Sequence, residues 1–285
     1  MTTLIVAHYP CNDGFVASRT LAGNVLNPQI FDWNLRPETL PNLHGHAQVF
    51  FVDCCAPPEA LAGLRNVTVI DHHETNLKAT EGIQNARLIF SSTQCASELV
   101  YEFLELEKPW YIKHIADHDL WRYGKPECHP DSQAIVRALP KPLNLDELDA
   151  ASDEWKAELV RRGEALLASD AEAIAAIVAT SQPITVQLAG MWHLANWARL
   201  PPDFSEWRLL SRLGDVLAQN VAMALVIAPD DKVSCYSVRS QPQAISCADF
   251  CKQFGGGGHL TAAGCVLKDA YVYGLSGEFF RTHDA

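Results

Sequence analysis

The chain has 285 residues, of which 48% are hydrophobic, so it is long enough for two domains and too apolar for a mainly disordered protein. Its formal net charge of −12 argues against a partner such as duplex nucleic acid, and no apolar run approaches the ~20 residues of a membrane span. Nine cysteines without paired spacing and an N-terminus without a basic signal region predict a cytoplasmic protein with reduced thiols and no membrane partner.

The first half of the chain alternates short apolar runs with helical patterns. Strands are predicted over residues 3–7, 49–52 and 67–70, because these runs are rich in β-branched and aromatic side chains. Helices are predicted over 15–25 and 92–107. This alternation predicts an α/β fold whose N-terminal sheet is mainly parallel, with helices on both faces.

The pattern changes after residue 109. Residues 109–139 are predicted to be helical with interruptions, and 152–180 to form a long connecting helix. Beyond Pro183 the chain predicts a smaller mixed α/β lobe, with strands over 184–188, 223–228 and 233–238 and helices over 205–219 and 247–254. We therefore expect a catalytic domain over 1–150, a helical linker over 151–183 and a second domain over 184–285.

Metal-binding side chains follow three of the predicted strands. His8 ends the first strand and Asp13 comes shortly after it. Asp53 ends the second, and the triplet Asp71-His72-His73 ends the third. An isolated aspartate after a strand is usually a cap or turn former, and an isolated histidine pair is usually structural. Because ligands bind at the carboxyl ends of strands in open α/β sheets, three such ends together predict one shared metal site.

The mixture of carboxylates and imidazoles favours Mn²⁺, with Mg²⁺, Co²⁺ or Zn²⁺ as substitutes. A pair of ions needs a bridging carboxylate, for which Asp53 is the candidate. A further acid is expected from the segment 114–123, which offers Asp117 and Asp119. The alternative for this segment is an amphipathic helix end with no role at the site.

A second signal is the run Gly255-Gly256-Gly257-Gly258-His259, followed by Ala262-Ala263-Gly264. Consecutive glycines permit positive φ and close backbone approach, and their amides can bind an anion. A helix predicted to begin near Leu260 would favour the same ligand. Arg239, at the end of a predicted strand, could clamp a phosphate. The alternatives are a flexible hinge for the glycines and a solvated surface position for the arginine.

These motifs, in this order from position 8 to 264, resemble the DHH phosphoesterases that carry a C-terminal DHHA1 domain. The resemblance implies a two-lobed enzyme whose first lobe holds two Mn²⁺-type ions and whose second lobe binds the substrate. It implies metal ligation by His8, Asp13, Asp53, His72 and Asp117, with Asp119 as the alternative to Asp117. It further implies catalytic roles for Asp53, Asp71 and His73, and substrate binding by Arg239, Gly256, Gly257, Gly258 and His259.

The chain departs from the family pattern at one position. The first family motif usually has two acids separated by one residue, whereas here Cys11 stands two positions before Asp13. A thiolate binds Mn²⁺ poorly but Zn²⁺ or Fe²⁺ well, so Cys11 is a further candidate ligand.

The resemblance implies a phosphohydrolase that uses metal-activated water on a small anionic nucleotidyl substrate: a short oligonucleotide, pAp or a dinucleotide. Short single-stranded nucleic acid is compatible with this interpretation, and a homodimer is left open. One alternative is an exopolyphosphatase, which would need many basic groups, whereas 22 Lys and Arg stand against 34 acids. The other is a nucleotide- or metal-sensing protein weakened in catalysis by Cys11.

Overall fold

The computed structural model describes residues 2–80, 86–188, 190–200, 209–229, 234–241, 245–267, 271–274 and 279–281. The chain separates into two compact units, residues 1–167 and 168–285. This division falls within one long helix, Asp153–Val178. The limits of the catalytic domain, linker and second domain given above remain predictions.

A parallel sheet forms the centre of the first unit. Its five described strands are β1 (Thr3–His8), β2 (Pro28–Trp33), β3 (Gln48–Val52), β4 (Val67–Asp71) and β5 (Ala86–Phe90), in the order β2-β1-β3-β4-β5. The chain moves to one side of β1 to form β2 and to the other side to form β3. The gap between the carboxyl ends of β1 and β3 is therefore the switch point, where open α/β sheets bind ligands.

Helices cover both faces of this sheet. The helices α1 (Asn12–Ala22) and α4 (Ala96–Phe103) pack on one face against Ile5, Phe50 and Ile70. The short helix α2 (Pro58–Leu61) packs on the other face, where Leu61 meets Val6 and Phe51. The remaining helix next to the sheet is α3 (Glu74–Thr80). The predicted fold class, a mainly parallel sheet with helices on both faces, is confirmed.

Four further helices follow the sheet along the chain, and the last of them continues past residue 167 into the second unit. They are α5 (Trp110–Asp119), α6 (Ser132–Ala138), α7 (Leu145–Asp149) and α8 (Asp153–Val178). Their buried side chains, among them Tyr111, Ile135, Leu148 and Leu159, form a separate apolar cluster that also contacts α1 through Val16. This cluster fixes α5, whose C-terminal end carries Asp117 and Asp119.

The second unit contains a mixed sheet, as predicted for the smaller lobe. Its described strands are β6 (Gln182–Leu188), β7 (Met191–Arg199), β8 (Met223–Pro229), β9 (Ser234–Arg239), β10 (Gly257–Gly258), β11 (Ala262–Leu267), β12 (Tyr271–Gly274) and β13 (Phe279–Arg281). Their order is β10-β11-β9-β8-β7-β6-β12-β13, and β7 pairs in parallel with β8.

Two helices complete the described part of the second unit, α9 (Leu210–Leu217) and α10 (Cys247–Lys252). Part of the helix predicted over 205–219 lies outside the described residues. Leu213 and Leu217 of α9 pack on one face of the sheet beside Val226, and Phe250 of α10 packs on the other beside Val238. Within the described ranges, no helix is both long enough and apolar enough to cross a bilayer.

Candidate metal centre

Asp53 lies at the centre of a cluster at the carboxyl ends of β1, β3 and β4. It follows β3 directly, has a φ of +58°, and is 1% exposed. Its two carboxylate oxygens lie 3.1 Å from His8 Nδ1 and 3.1 Å from His72 Nε2. A left-handed conformation at a residue other than glycine is uncommon and often marks a functional position. Here it accompanies a carboxylate held between side chains from two neighbouring strand ends.

Two more acids complete this group. Asp119 Oδ2, at the end of α5, lies 3.0 Å from His72 Nε2. Asp13, in the first turn of α1, is fully buried, and its oxygens accept hydrogen bonds of 2.7 and 2.8 Å from the backbone N–H groups of Ala96 and Ser97. Those amides open α4, so the helix N-terminus fixes the orientation of Asp13.

The charges of this cluster fit a bound cation. Asp13, Asp53, His72 and Asp119 each offer a ligand atom, and these atoms all lie within 4.8 Å of one another. Burial, and then the charges of Asp119 and Asp53, raise the pKa of Asp13 to about 7. Burial alone would lower the pKa of His72, but hydrogen bonding to Asp119 and Asp53 raises it to about 11. Protons held by Asp13 and His72 therefore offset part of the negative charge of the cluster, and a divalent cation would replace those protons.

A second group of candidate ligands shares Asp53. His8, Cys11 and Asp53 offer ligand atoms within 4.8 Å of one another. The Cys11 thiol also lies 3.8 Å from Asp119 Oδ1. The pKa of Asp53 is well below its usual range, because hydrogen bonds from His72 and His8 outweigh the effect of burial. Asp53 is thus ionised and placed between both groups, as a bridging ligand requires.

Asp71 holds His73 rather than occupying the centre of the cluster. Its Oδ1 accepts hydrogen bonds from the backbone N–H groups of His72 and His73, and its Oδ2 accepts one of 2.6 Å from the Asn76 amide. His73 Nδ1 lies 2.8 Å from Asp71 Oδ1. Burial would lower the pKa of His73, but the bond to Asp71 raises it. Sequence reasoning missed Asn76, because nothing in the sequence marks an amide in the first turn after the triplet as its partner.

Asp117 lies in a different network from Asp119. Its Oδ2 accepts hydrogen bonds from the Ser132 hydroxyl at 2.6 Å and from the His129 backbone at 2.9 Å. Its Oδ1 lies 3.4 Å from both Lys113 Nζ and Arg122 Nη1. Burial would raise the pKa of Asp117, but these donors and cations lower it. The structure therefore places Asp119 in the cluster and gives Asp117 protein partners that join α5 to α6.

Separate effects are expected when Asp117 and Asp119 are each replaced by asparagine. Asp117→Asn should lower the free energy of unfolding by about 1–3 kcal/mol, because the network that joins α5 to α6 loses a buried, charged hydrogen-bond acceptor. Asp119→Asn should weaken Mn²⁺ binding on the order of tenfold or more with little loss of stability. Urea denaturation and calorimetric metal titration of both variants test this. A loss of metal binding in Asp117→Asn alone would contradict the assignment.

Gly14 permits the close approach of α1 to the centre. An ideal Cβ at this position would lie 2.6 Å from the His8 carbonyl oxygen and 3.1 Å from Asp53 Oδ2. Gly14→Ala should therefore destabilise the protein by about 1–3 kcal/mol. Gly23→Ala is the control, since a Cβ there meets its nearest atom, Thr20 O, at 3.6 Å. Chemical denaturation should show a loss only for Gly14→Ala; equal losses would contradict the steric explanation.

In the second unit, the glycine segment forms a helix end and a hairpin. The helix predicted near Leu260 is wrong: β10 pairs with β11, and the His259 amide donates to Ala262 O at 2.7 Å across the turn. The amides of Gly255 and Gly256 donate to Lys252 O and Cys251 O and close the end of α10. Gly255, with a φ of +74°, ends α10, and Gly258, with a φ of +144°, directly precedes the turn that replaces the predicted helix.

Packing also explains one of the glycines. A Cβ at Gly256 would lie 2.2 Å from Gly264 O and 2.5 Å from Cys265 Cβ. Because the Gly256 and His259 amides have backbone acceptors, any anion bound by this segment would use the remaining amides or the His259 imidazole.

Arg239 packs across α9 within the same unit. Its Nη2 donates to Ser211 Oγ at 2.8 Å and its Nη1 to Val238 O at 3.0 Å. Its aliphatic part passes so close to Gly214 that a Cβ there would lie 2.5 Å from Arg239 Cγ. Burial lowers the pKa of this guanidinium. In the described part of the chain, no carboxylate lies within ion-pair distance of Arg239, so the group is suited to an anionic ligand.

Comparison with known proteins shows a shared fold. No protein-family model and no curated protein sequence matches the chain. An exopolyphosphatase-related protein from Bacteroides fragilis has 13% sequence identity, with 94% of this chain and 87% of that chain covered and a TM-score of 0.53. An uncharacterized protein from Helicobacter pylori has 14% sequence identity, with 95% of this chain and 94% of that chain covered and a TM-score of 0.38. A pGpG-specific phosphodiesterase from Vibrio cholerae has 13% sequence identity, with 94% of this chain and 93% of that chain covered and a TM-score of 0.45. The Bacteroides fragilis protein thus has a similar fold, and its activity does not transfer by identity alone.

Proposed function

We propose that this chain is a metal-dependent phosphohydrolase of the DHH type, with a DHHA1 second domain, that hydrolyses a small nucleotidyl phosphate ester with water. The observation that carries the proposal is the buried group of Asp13, Asp53, His72 and Asp119, whose ligand atoms lie within 4.8 Å of one another at the switch point of a parallel sheet. The similar fold of the exopolyphosphatase-related protein from Bacteroides fragilis is consistent with this proposal.

Asp13, Asp53, His72 and Asp119 would hold one ion, and Asp53 and His8 would contribute to holding a second. Asp119 takes the ligand position that the sequence suggested for Asp117. Bound Mn²⁺ ions, or Mg²⁺ in their place, would supply charge neutralisation of the phosphoryl group and activation of water. The protein contributes a rigid ligand frame, since the N-terminus of α4 orients Asp13 and β3 orients Asp53.

His73 is proposed to contact the phosphoryl group, and Asp71 to position it. The bond between His73 Nδ1 and Asp71 Oδ1 fixes the ring and favours its protonated form. A protonated imidazole can stabilise negative charge on phosphoryl oxygens or donate a proton to the leaving oxygen. Asp71 cannot readily serve the substrate, because four protein donors already occupy its oxygens.

For the second domain, we propose that Arg239, the amides of Gly257 and Gly258 and the His259 imidazole bind substrate phosphate, with Gly256 shaping the segment through its bond to Cys251 O. The support for Arg239 is a guanidinium largely enclosed by α9 and β9, with a hydroxyl and a carbonyl as its described acceptors. For the glycine segment, the support is the positive φ of Gly258, +144°, and the hairpin that exposes the turn.

A second candidate is an exopolyphosphatase, which the name of the Bacteroides fragilis protein favours. The excess of 34 acids over 22 basic residues disfavours it, because a long polyanion requires a basic track. A third is a metal or nucleotide sensor without turnover.

The protein should be assayed with Mn²⁺ against a linear dinucleotide, pAp, a short oligonucleotide and polyphosphate, with Asp53→Asn as the inactive control. Cleavage of polyphosphate alone would overturn the nucleotide assignment, and no Mn²⁺-dependent cleavage of any substrate would favour the sensor.

Metal binding is expected to stabilise the protein more at higher pH. At a free Mn²⁺ concentration of about one hundred times its dissociation constant, the gain is about 2.7 kcal/mol. Protons on Asp13, with a pKa of about 7, and on His72, with a pKa of about 11, compete with the ion. The Tm increase on adding Mn²⁺ should therefore grow from about pH 6 to about pH 8. The difference in Tm between samples with Mn²⁺ and samples with EDTA measures this gain. A difference that becomes smaller as the pH rises over this range would contradict the assigned ligands.

A further inference from the structure

Cys11 places a thiol beside the carboxylates of the proposed centre. It is the residue before α1, in an extended conformation with φ −140° and ψ 137°. Its Sγ lies 3.8 Å from Asp119 Oδ1 and belongs to the group of His8, Cys11 and Asp53. Among the described residues, it is the only cysteine in a group of three or more candidate metal ligands. This location distinguishes Cys11 from the thiols that serve only as small core side chains.

Three groups of candidate ligands contain Asp53, one of them with Asp71, His72 and His73, and the other two differ in chemistry. The first, Asp13, Asp53, His72 and Asp119, contains three carboxylates and one imidazole. The second, His8, Cys11 and Asp53, contains one carboxylate, one imidazole and one thiol. Hard oxygen ligands suit Mn²⁺ and Mg²⁺, whereas a thiolate favours Zn²⁺, Fe²⁺ and Co²⁺. The groups should therefore prefer different ions even though they share a carboxylate.

We propose that the centre has two unequal metal positions, and that His8, Cys11 and Asp53 form a thiolate position for a borderline divalent ion such as Zn²⁺, Fe²⁺ or Co²⁺. This inference rests on the proposed function, because it concerns the same centre. When the ion binds, the S–H bond of Cys11 breaks, a sulfur–metal bond forms, and the proton passes to the solvent. His8 is 27% exposed in its side chain, which leaves this position open to exchange with solvent.

Co²⁺ spectroscopy tests the thiolate directly, without an activity measurement. Metal-free protein titrated with Co²⁺ should develop the near-ultraviolet charge-transfer band of a thiolate–Co²⁺ bond. The band should be absent in Cys11→Ser and Cys11→Asp and retained in Cys128→Ser, the matched control. Cys128 is half-buried like Cys11, and its Sγ donates to His129 O. Circular dichroism of each variant verifies that it is folded.

Two outcomes of this titration would overturn the proposal. One is a wild-type protein that binds two equivalents of Co²⁺ by calorimetry with no charge-transfer band. The other is a band that persists in Cys11→Ser but disappears in Cys95→Ser, since Cys95 is a buried thiol 3.2 Å from Ser97 Oγ, next to the amides that hold Asp13. In that case another sulfur would be the ligand.

Metal preference supplies a second readout. Cys11→Asp should reduce the ratio of Zn²⁺ affinity to Mn²⁺ affinity on the order of tenfold or more, because an oxygen ligand replaces sulfur. Competition between the ions, followed by calorimetry, measures the ratio; an unchanged ratio overturns the proposal.

Mn²⁺-dependent hydrolysis by the wild type, and its loss in Asp53→Asn, are measured alongside. If the wild type hydrolyses substrate but shows no charge-transfer band and Cys11→Asp leaves the affinity ratio unchanged, the thiolate position is wrong and the proposed function is retained. If the band appears but no hydrolysis is detected, the thiolate position is retained and the proposed function is wrong.

Discussion

Replacing Asp53 with asparagine is expected to reduce kcat/KM for the preferred substrate by about 10³-fold or more, with the fold retained. Asp53 is the one carboxylate that belongs to both the group with Asp119 and the group with Cys11. A neutral amide there would weaken both metal positions. Among residues with a side chain, asparagine is one of the most tolerant of a φ of +58°, so a folding defect is not expected to accompany the loss.

Asp32→Asn is the matched control for this variant. Asp32 lies near the carboxyl end of β2 in the same sheet, but it pairs with Arg19 at 2.6 Å rather than with the imidazoles. Its replacement should leave kcat/KM within about twofold of the wild type, since an exposed ion pair contributes little. Steady-state assays and Mn²⁺ titration of both variants provide the comparison. Full activity in Asp53→Asn, or an equal loss in Asp32→Asn, would remove Asp53 from the centre.

His73→Gln is expected to reduce kcat by about 10²–10³-fold while Mn²⁺ affinity changes little. The reason is that His73 is oriented by Asp71, whereas His72 is the imidazole that contacts both Asp53 and Asp119. His72→Gln should instead weaken metal binding together with kcat. Single-turnover kinetics and calorimetry separate the two effects. A His73→Gln variant that loses metal affinity to the same extent as His72→Gln would contradict the proposed division of roles.

The dependence on pH tests Asp71 as a positioning residue. The hydrogen bond that His73 donates to Asp71 raises the pKa of His73, so the protonated ring persists to higher pH than an isolated imidazole. If catalysis needs that proton, the rate falls as pH rises through this pKa. Asp71→Asn should move the fall to lower pH, whereas a purely structural role for Asp71 would lower the rate without moving it.

The sequence predicted the central strands well and the edge strands poorly. β1, β3 and β4 are buried on both faces, and their side chains form the apolar runs that mark a buried strand. β2 and β5 lie at the two edges of the sheet and are largely exposed or half-buried. Gln29 and Asp32 interrupt the apolar residues of β2, and the apolar run of β5, Leu88-Ile89-Phe90, is only three residues long. Pairing with β1 and β4 is what identifies both segments as strands.

The choice between Asp117 and Asp119 shows a similar limit. Both lie on α5, two positions apart, so their side chains point to different sides of the helix. The sequence contains the acids but not the rotation of the helix about its axis. That rotation is set by Tyr111, Ile112 and Ile115, which bury one side of α5 in the apolar cluster.

The chemical character of the protein can be read from its amino-acid sequence: an α/β chain whose strands end in carboxylates and imidazoles, with one thiol where an acid is usual in the family it resembles. Those features follow from local composition and from the two-residue period of strands. Tertiary structure alone decided which acids meet, that Asp13 is held by the amides of α4, and that Cys11 approaches Asp119. Such contacts join residues up to about a hundred positions apart, and they arise from the packing of helices on the sheet, which no local pattern encodes.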